Sequence, residues 1–276
     1  MIKYCDSHSH SKNSPDARHS VNDMCEKAIG LELSAYTITD HIECNIERWA
    51  CENPTDIGPL FRDIFENSMR DIYIAKDKYQ SRLNLLAGVE LGEPCQNLEC
   101  SESYAKDKRL DFIISSIHQI RGKEDFYFID YSKEDIPSLM QTYFEEIYET
   151  VKWNGFDVIG HLTYTLRYMQ GEQGYKVNMK PYEEIIRECF KTLAQNGKGI
   201  EVNTSGCRQK FGDFFPDFEY VKMFKECGGE IITTGSDSHC AEDLGKGLAE
   251  ATEMIKKAGF DYIAYFKERK PQLIKI

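Results

Sequence analysis

No stretch of this chain is apolar for long enough to cross a membrane, and none approaches the ~18 consecutive residues that a spanning helix needs. The start, MIKYCDSHSH, also lacks the basic-then-apolar pattern of a secretory signal, so a cytoplasmic protein is expected. Positive charge is scarce: 34 Lys and Arg against 46 Asp and Glu give a net charge of −12. That balance argues against an extended nucleic-acid track or an anionic membrane as partner, while leaving room for a local basic pocket. None of the 10 cysteines forms C-x-x-C. A chain of 276 residues needs no disulfide scaffold, so the scattered thiols read as reduced. Cys44 with Cys51, and Cys95 with Cys100, are poorly spaced for zinc. Repeats, low-complexity tracts and linkers are also missing, so residues 1–276 are expected to form one domain.

What is present is an alternation of strand-like and helix-like segments. IKYCDSH, SAYTITD, LNLLAGVEL, DFIISSIH, FDVIGH, KGIEVNTS and EIITTGSDSH read as seven strands, with a last short one near 261–266. Between them, helices are expected after the Ser20–Asp23 capping pair and over 59–79, 97–109, 136–153, Pro181 to Asn196, Pro216 to Cys227, and 241–258. A β-α alternation implies a parallel sheet. The histidines decide its shape. Six of the 7 stand at the C-terminal ends of predicted strands. In a closed barrel those ends meet at one mouth, where active sites lie, whereas an open sheet would spread them along a crevice.

Alternate residues of a strand point to one side, so His8 and His10 face the same way, about 7 Å apart along the chain. The candidate donors are His8, His10, Asp16, His41, Glu90, His118, His161, Asp237 and His239. They are too many for one ion and suit two or three divalent ions sharing carboxylates. Imidazole with carboxylate fits zinc, manganese or iron.

The order D-S-H-S-H, S-P-D, I-T-D-H, G-V-E, S-I-H, G-H-L and G-S-D-S-H resembles the PHP family, named for polymerase and histidinol phosphatase. More narrowly, GHLTYTLRY and EVNTSGCR are similar to its stand-alone histidinol-phosphate phosphatases. The resemblance implies an α/β fold, a distorted TIM-like (β/α)7 barrel, with a trinuclear metal site at the C-terminal strand ends. It assigns His8, His10, Glu90 and Asp237 to one ion, and Glu90 as a bridge with His118 and His161 to a second. Asp16, His41 and His239 go to the third. Some relatives carry histidine where this chain has Asp16, and His19 is the nearby competitor.

The implied chemistry is metal-dependent hydrolysis of a small-molecule phosphate ester, L-histidinol phosphate by resemblance, with Glu90, Asp237 and His239 at the reaction. Arg167 and Arg208 follow strand ends, and a guanidinium matches phosphate oxygens at two points. They are the candidate phosphate contacts, with His19 as a loop or substrate contact and Lys210 and Arg121 as weaker choices. Asp6 and Asp40 are expected to orient histidines. Ser7, Ser9 and Ser238 have no spare base and act as spacers between donors. The aromatic segments 125–131 and 164–175 could line the substrate pocket, with Glu124 or Asp125 meeting its amine. The alternatives are a PHP phosphoesterase acting on a nucleotide phosphodiester or phosphotyrosine, and a non-catalytic metal-binding regulatory domain.

Overall fold

The alternating pattern folds as a nearly closed barrel in a computed structural model that describes residues 4–45 and 61–276. The start of the first predicted strand, the first two residues of the helix expected from 59, and Cys51 lie outside the described residues. Along the chain come β1 (Cys5–Asp6), α1 (Val21–Gly30), β2 (Ala35–Ile38), β3 (His41–Glu43), α2 (Phe61–Tyr79) and β4 (Leu85–Gly92). Then follow α3 (Leu98–Ala105), β5 (Phe112–Ser116), α4 (Ile136–Trp153), β6 (Val158–Ile159), α5 (Glu183–Gln195) and β7 (Gly199–Asn203). The last elements are α6 (Phe218–Glu226), β8 (Ile232–Gly235), α7 (Leu248–Lys257), β9 (Tyr262–Lys267) and β10 (Lys270–Lys275).

Neighbouring strands run parallel in the order β1-β2-β4-β5-β6-β7-β8, with β3 also paired to β4. The ring closes just past β1. Ser7 N donates to Thr234 O at 2.9 Å, His10 N to Ser238 O at 2.9 Å, and Asp237 N to His8 O at 2.8 Å. Every residue of β4 is buried, as expected of a strand covered on both faces. The local signals act as anticipated. Ser20 and Asp23 form a reciprocal capping box, and α1 then buries Val21, Met24, Cys25 and Ala28 on one face.

Strand alternation divides the barrel interior along its axis. Cys5, Ala35, Leu86, Phe112, Ile114 and Val158 form two small apolar clusters near the N-terminal ends of the strands. Two or four residues further on, the same faces carry Glu90 and Ser116. The interior thus has an apolar floor and a polar mouth.

β9 and β10 pair as an antiparallel hairpin, of which the sequence pattern had shown only the first strand. Lys270–Lys275 is mostly exposed and carries Pro271, so it has no buried alternation to betray it. Glu268 and Arg269 adopt φ of 51° and 61° at its tight turn. The hairpin plugs the floor. Phe266 packs with Phe112, Ile114 and Val158, while Tyr265 and Ile274 pack on Cys5, Ala35 and Leu86. Arg269 donates from Nε to Asp157 Oδ2 at 2.5 Å, and Asp111 accepts the backbone N–H groups of Glu268 and Arg269.

Further boundaries differ from expectation, among them the helix expected over 97–109, which ends at Ala105. The second strand breaks at Thr39–Asp40, and His41 resumes in β3, in register with Glu90. The helix expected from 241 begins only at Leu248, because Gly245 and Gly247 take φ of 78° and 80° and hold turns instead. Among the described residues no helix is long and apolar enough to cross a membrane.

Phe266→Ala should open a void in the barrel floor and lower unfolding free energy by roughly 3 kcal/mol. Leu273→Ala, on the exposed side of the same hairpin, should stay within about 0.5 kcal/mol. Urea denaturation of both variants checks this contrast.

Candidate metal centre

Glu90 projects from β4 into the polar mouth and is 1% exposed. Around its Oε1 lie Ser116 Oγ at 2.7 Å, His161 Nε2 at 2.9 Å and His118 Nε2 at 3.2 Å. Around Oε2 lie His41 Nδ1 at 2.9 Å, His8 Nε2 at 3.3 Å and His10 Nε2 at 3.5 Å. Five imidazoles thus surround one carboxylate. Burial alone would raise its pKa, yet His8, His41 and His118 together hold it well below the usual carboxylate range.

The distances around Oε2 are short, but the angles are wrong for hydrogen bonding. Among the described residues, His8 Nε2, His10 Nε2, His41 Nδ1 and Glu90 Oε2 are all buried without a hydrogen-bond partner. His118 Nε2 and His161 Nε2 face each other at 3.4 Å. Buried polar atoms ordinarily find partners. Imidazole nitrogens and carboxylate oxygens that converge this closely are the arrangement a cation requires, so the residues present fit bound metal. Imidazole with carboxylate suits zinc, manganese or iron. Burial and the adjacent His41 and His239 rings push the His10 pKa down to about 3, leaving that imidazole neutral.

The residues of each of the three donor sets that the family resemblance implies lie close to one another. His10 Nε2 and His8 Nε2 lie 3.4 and 3.8 Å from Asp237 Oδ1, beside Glu90 Oε2. His118 and His161 share Glu90 Oε1. Asp16 Oδ2 reaches His239 Nε2 at 3.0 Å and His41 Nε2 at 3.7 Å. Partial burial of Asp16 is outweighed by His239 and His41, which hold its carboxyl below the ordinary range.

Three carboxylates escaped sequence reasoning. Glu201 Oε1 lies 2.8 Å from His8 Nδ1, while its Oε2 accepts His161 N–H at 2.9 Å and Asn203 Nδ2 at 3.2 Å. A Cβ on Gly235 would meet Glu201 Oε1 at 2.1 Å, so glycine there keeps the His8–Glu201 contact open. Glu43 Oε1 lies 3.2 Å from both His41 Nδ1 and His118 Nδ1. Glu93 accepts the backbone N–H groups of His118 and Gln119 at 2.5 and 3.1 Å. Burial and then the Glu43 carboxylate push its pKa well up. Alternation offered a signal for two of them: Glu43 shares a strand face with His41, and Glu201 with Asn203. Glu93 follows the end of β4 at φ 45°, where alternation no longer applies.

Asp6 and Asp40 touch no imidazole nitrogen directly. Asp6 accepts backbone N–H groups of Ser236, Gly245 and His8 at 2.8, 3.1 and 3.4 Å. Asp40 accepts Ser11, Ser14 and Ser68 hydroxyls, and only Ser14 Oγ reaches His10 Nδ1, at 3.4 Å. Ser7 and Ser238 hydroxyls are buried and unpartnered, and Ser9 bonds Tyr36 and Thr37.

A cavity of about 810 Å³ opens onto the donors, walled by Tyr127, Phe128, Tyr164 and Tyr168 and by Glu43, Glu93, Glu124 and Asp125. Arg167 lines it and also a smaller cavity of about 210 Å³ that Arg208 shares with Asp237 and His239. Arg208 Nη2 donates to Ser236 O at 2.7 Å, leaving Nη1 buried and unpartnered. His19 is not brought to either cavity: its Nδ1 accepts Ala241 N–H at 3.1 Å. Lys210 pairs with Glu172 and Arg121 with Glu149, and neither lines these cavities.

The PHP domain family model matches residues 6–205. The chain belongs to the PHP domain family. Asp237 and His239 lie beyond the matched residues, and the barrel returns them to the mouth. Over 261 residues the chain is 27% identical to a probable histidinol-phosphatase of Thermotoga maritima, covering 94% of each. It is 26% identical over 276 residues to the histidinol-phosphatase of Lactococcus lactis, covering 98% of this chain and 96% of that one. The solved Lactococcus lactis histidinol phosphate phosphatase, complexed with zinc, L-histidinol and phosphate, superposes with a TM-score of 0.79 at 23% identity. That likeness covers 99% of this PHP chain and 100% of the other, and shows the shared fold.

Glu201→Gln preserves shape but sets an amide N–H against one of the donors that Glu201 accepts. Zinc affinity, read by competition with a chromophoric chelator, should fall roughly 10- to 100-fold.

Proposed function

We propose that this PHP protein is a metal-dependent phosphomonoesterase that hydrolyses L-histidinol phosphate to L-histidinol and phosphate. The observation that carries the reaction class is the convergence of unpartnered imidazole and carboxylate atoms on Glu90, beside two guanidinium groups with free N–H positions. The choice of substrate rests on the near full-length likeness to histidinol-phosphatases of two bacteria.

In this reading His8, His10, Glu90 and Asp237 hold one ion, Glu90, His118 and His161 a second, and Asp16, His41 and His239 a third. Bound metal would lower the pKa of water and neutralise phosphoryl oxygens. Arg167 and Arg208 bind and orient the phosphoryl group through their free N–H groups. Glu201 keeps His8 in one tautomer by accepting from Nδ1, so that Nε2 presents its lone pair. The aromatic wall excludes water and takes the organic part of the ester. Glu90, Asp237 and His239 act at the reacting phosphate.

Purified protein should release phosphate from L-histidinol phosphate, lose that activity to a chelator, and regain it with zinc or manganese. No release from fully metallated protein, alongside cleavage of a phosphodiester or phosphotyrosine, would move the substrate assignment to that ester.

Two substitutions separate the roles. Glu90→Gln should remove bridging charge and reduce both metal content and turnover by orders of magnitude. Arg208→Ala should raise KM about 10-fold or more, the loss of a charge-assisted contact, with metal content unchanged. Equal metal loss in both variants would make Arg208 a structural support.

A further inference from the structure

Arg167 stands between the two cavities at the barrel mouth. It opens a short π-helix, Arg167–Glu172, and not a long α-helix or strand. Nη2 donates to Ser205 Oγ at 2.6 Å and to Asp237 Oδ2 at 3.3 Å. Nε is buried and has no hydrogen-bond partner among the described residues. Both acceptors lie at the metal centre or next to it, so these bonds alone would draw the guanidinium onto Asp237 without fixing its plane.

Aromatic rings supply the missing constraint. The guanidinium carbon lies 4.8 Å from the ring centre of Tyr164, 5.3 Å from that of Phe215 and 5.9 Å from that of Tyr168. Tyr164 also packs on His161, so it belongs to the site already described. Phe215 does not touch the donors. It is fully buried, and its own position is fixed from three sides. Its backbone pairs with Asn203 at the end of β7, N to O at 3.0 Å and O to N at 2.9 Å. Phe211 stacks on its ring at 4.7 Å. Gly206 lets the loop press close, since a Cβ there would come within 2.6 Å of Phe215 Cε2. An aromatic face attracts a guanidinium and restricts its rotamers.

We propose that Phe215 is a positioning residue that holds the Arg167 guanidinium in place for the phosphoryl group. This rests on the phosphatase reading. It adds that phosphate affinity depends on a ring that meets neither metal donors nor substrate.

Inorganic phosphate titrated calorimetrically into zinc-loaded protein tests it, with zinc per chain measured on the same samples. Phe215→Leu should weaken phosphate about 3- to 10-fold, the loss of one cation–π contact, at unchanged zinc content. Phe215→Tyr, which keeps the aromatic face, should restore it. In an Arg167→Ala background Phe215→Leu should have no further effect. Where Phe215→Leu fails to fold, Phe215→Met takes its place. Equal affinities for the Leu and Tyr variants, or an undiminished effect without Arg167, would overturn the proposal. Wild-type protein that binds phosphate but leaves L-histidinol phosphate intact would refute only the substrate, because the coupling is still measured. Wild-type protein that binds no phosphate would refute both.

Discussion

Everything at the mouth of this barrel is arranged around one buried carboxylate. Removing a charged Glu90 from water costs several kcal/mol unless opposite charge and donors replace the lost hydration. The Ser116 hydroxyl donates to Oε1, and five imidazoles crowd the carboxylate from four strands and the loops that extend them. That demand explains why β3 pairs beside β4, bringing His41 level with Glu90. It also explains Gly235, whose missing side chain leaves room for Glu201 to steady His8. Bound cations would complete the balance, because the nitrogens around Oε2 approach it without donating.

Holding so many polar groups together is compatible with a stable barrel only because the opposite end is apolar and closed. The C-terminal hairpin seals the floor with Phe266 and ties itself to the starts of β5 and β6 through Asp111 and Asp157. The mouth can then carry strain. Asp237 adopts φ 51° and Glu93 φ 45°, conformations that cost a non-glycine residue about 1 kcal/mol or more. Both place their carboxylates at the centre, where ordinary extended backbone would carry the chain past it.

Much of this was legible from local pattern. Helix caps, amphipathic faces and the polar ends of strands follow from neighbours along the chain, and so the parallel barrel and the gathering of those polar side chains at its mouth could be read in advance. The hairpin's second strand could not, since Lys270–Lys275 lacks a buried face. His19 illustrates the converse: its spacing near Asp16 suggested the cavity, but its imidazole turns to the backbone N–H of Ala241.

By itself the sequence determined which residues end the strands, and hence that imidazoles and carboxylates meet at one mouth. Period-two alternation and short turns are local properties, and they suffice for that. Only the tertiary structure decided which donors share an oxygen of Glu90, that Glu43, Glu93 and Glu201 stand behind the histidines, and that Phe215 lies over Arg167. Those relations join residues up to some 190 positions apart, as in the His8–Glu201 pair. Barrel closure sets such distances, and no local pattern encodes them.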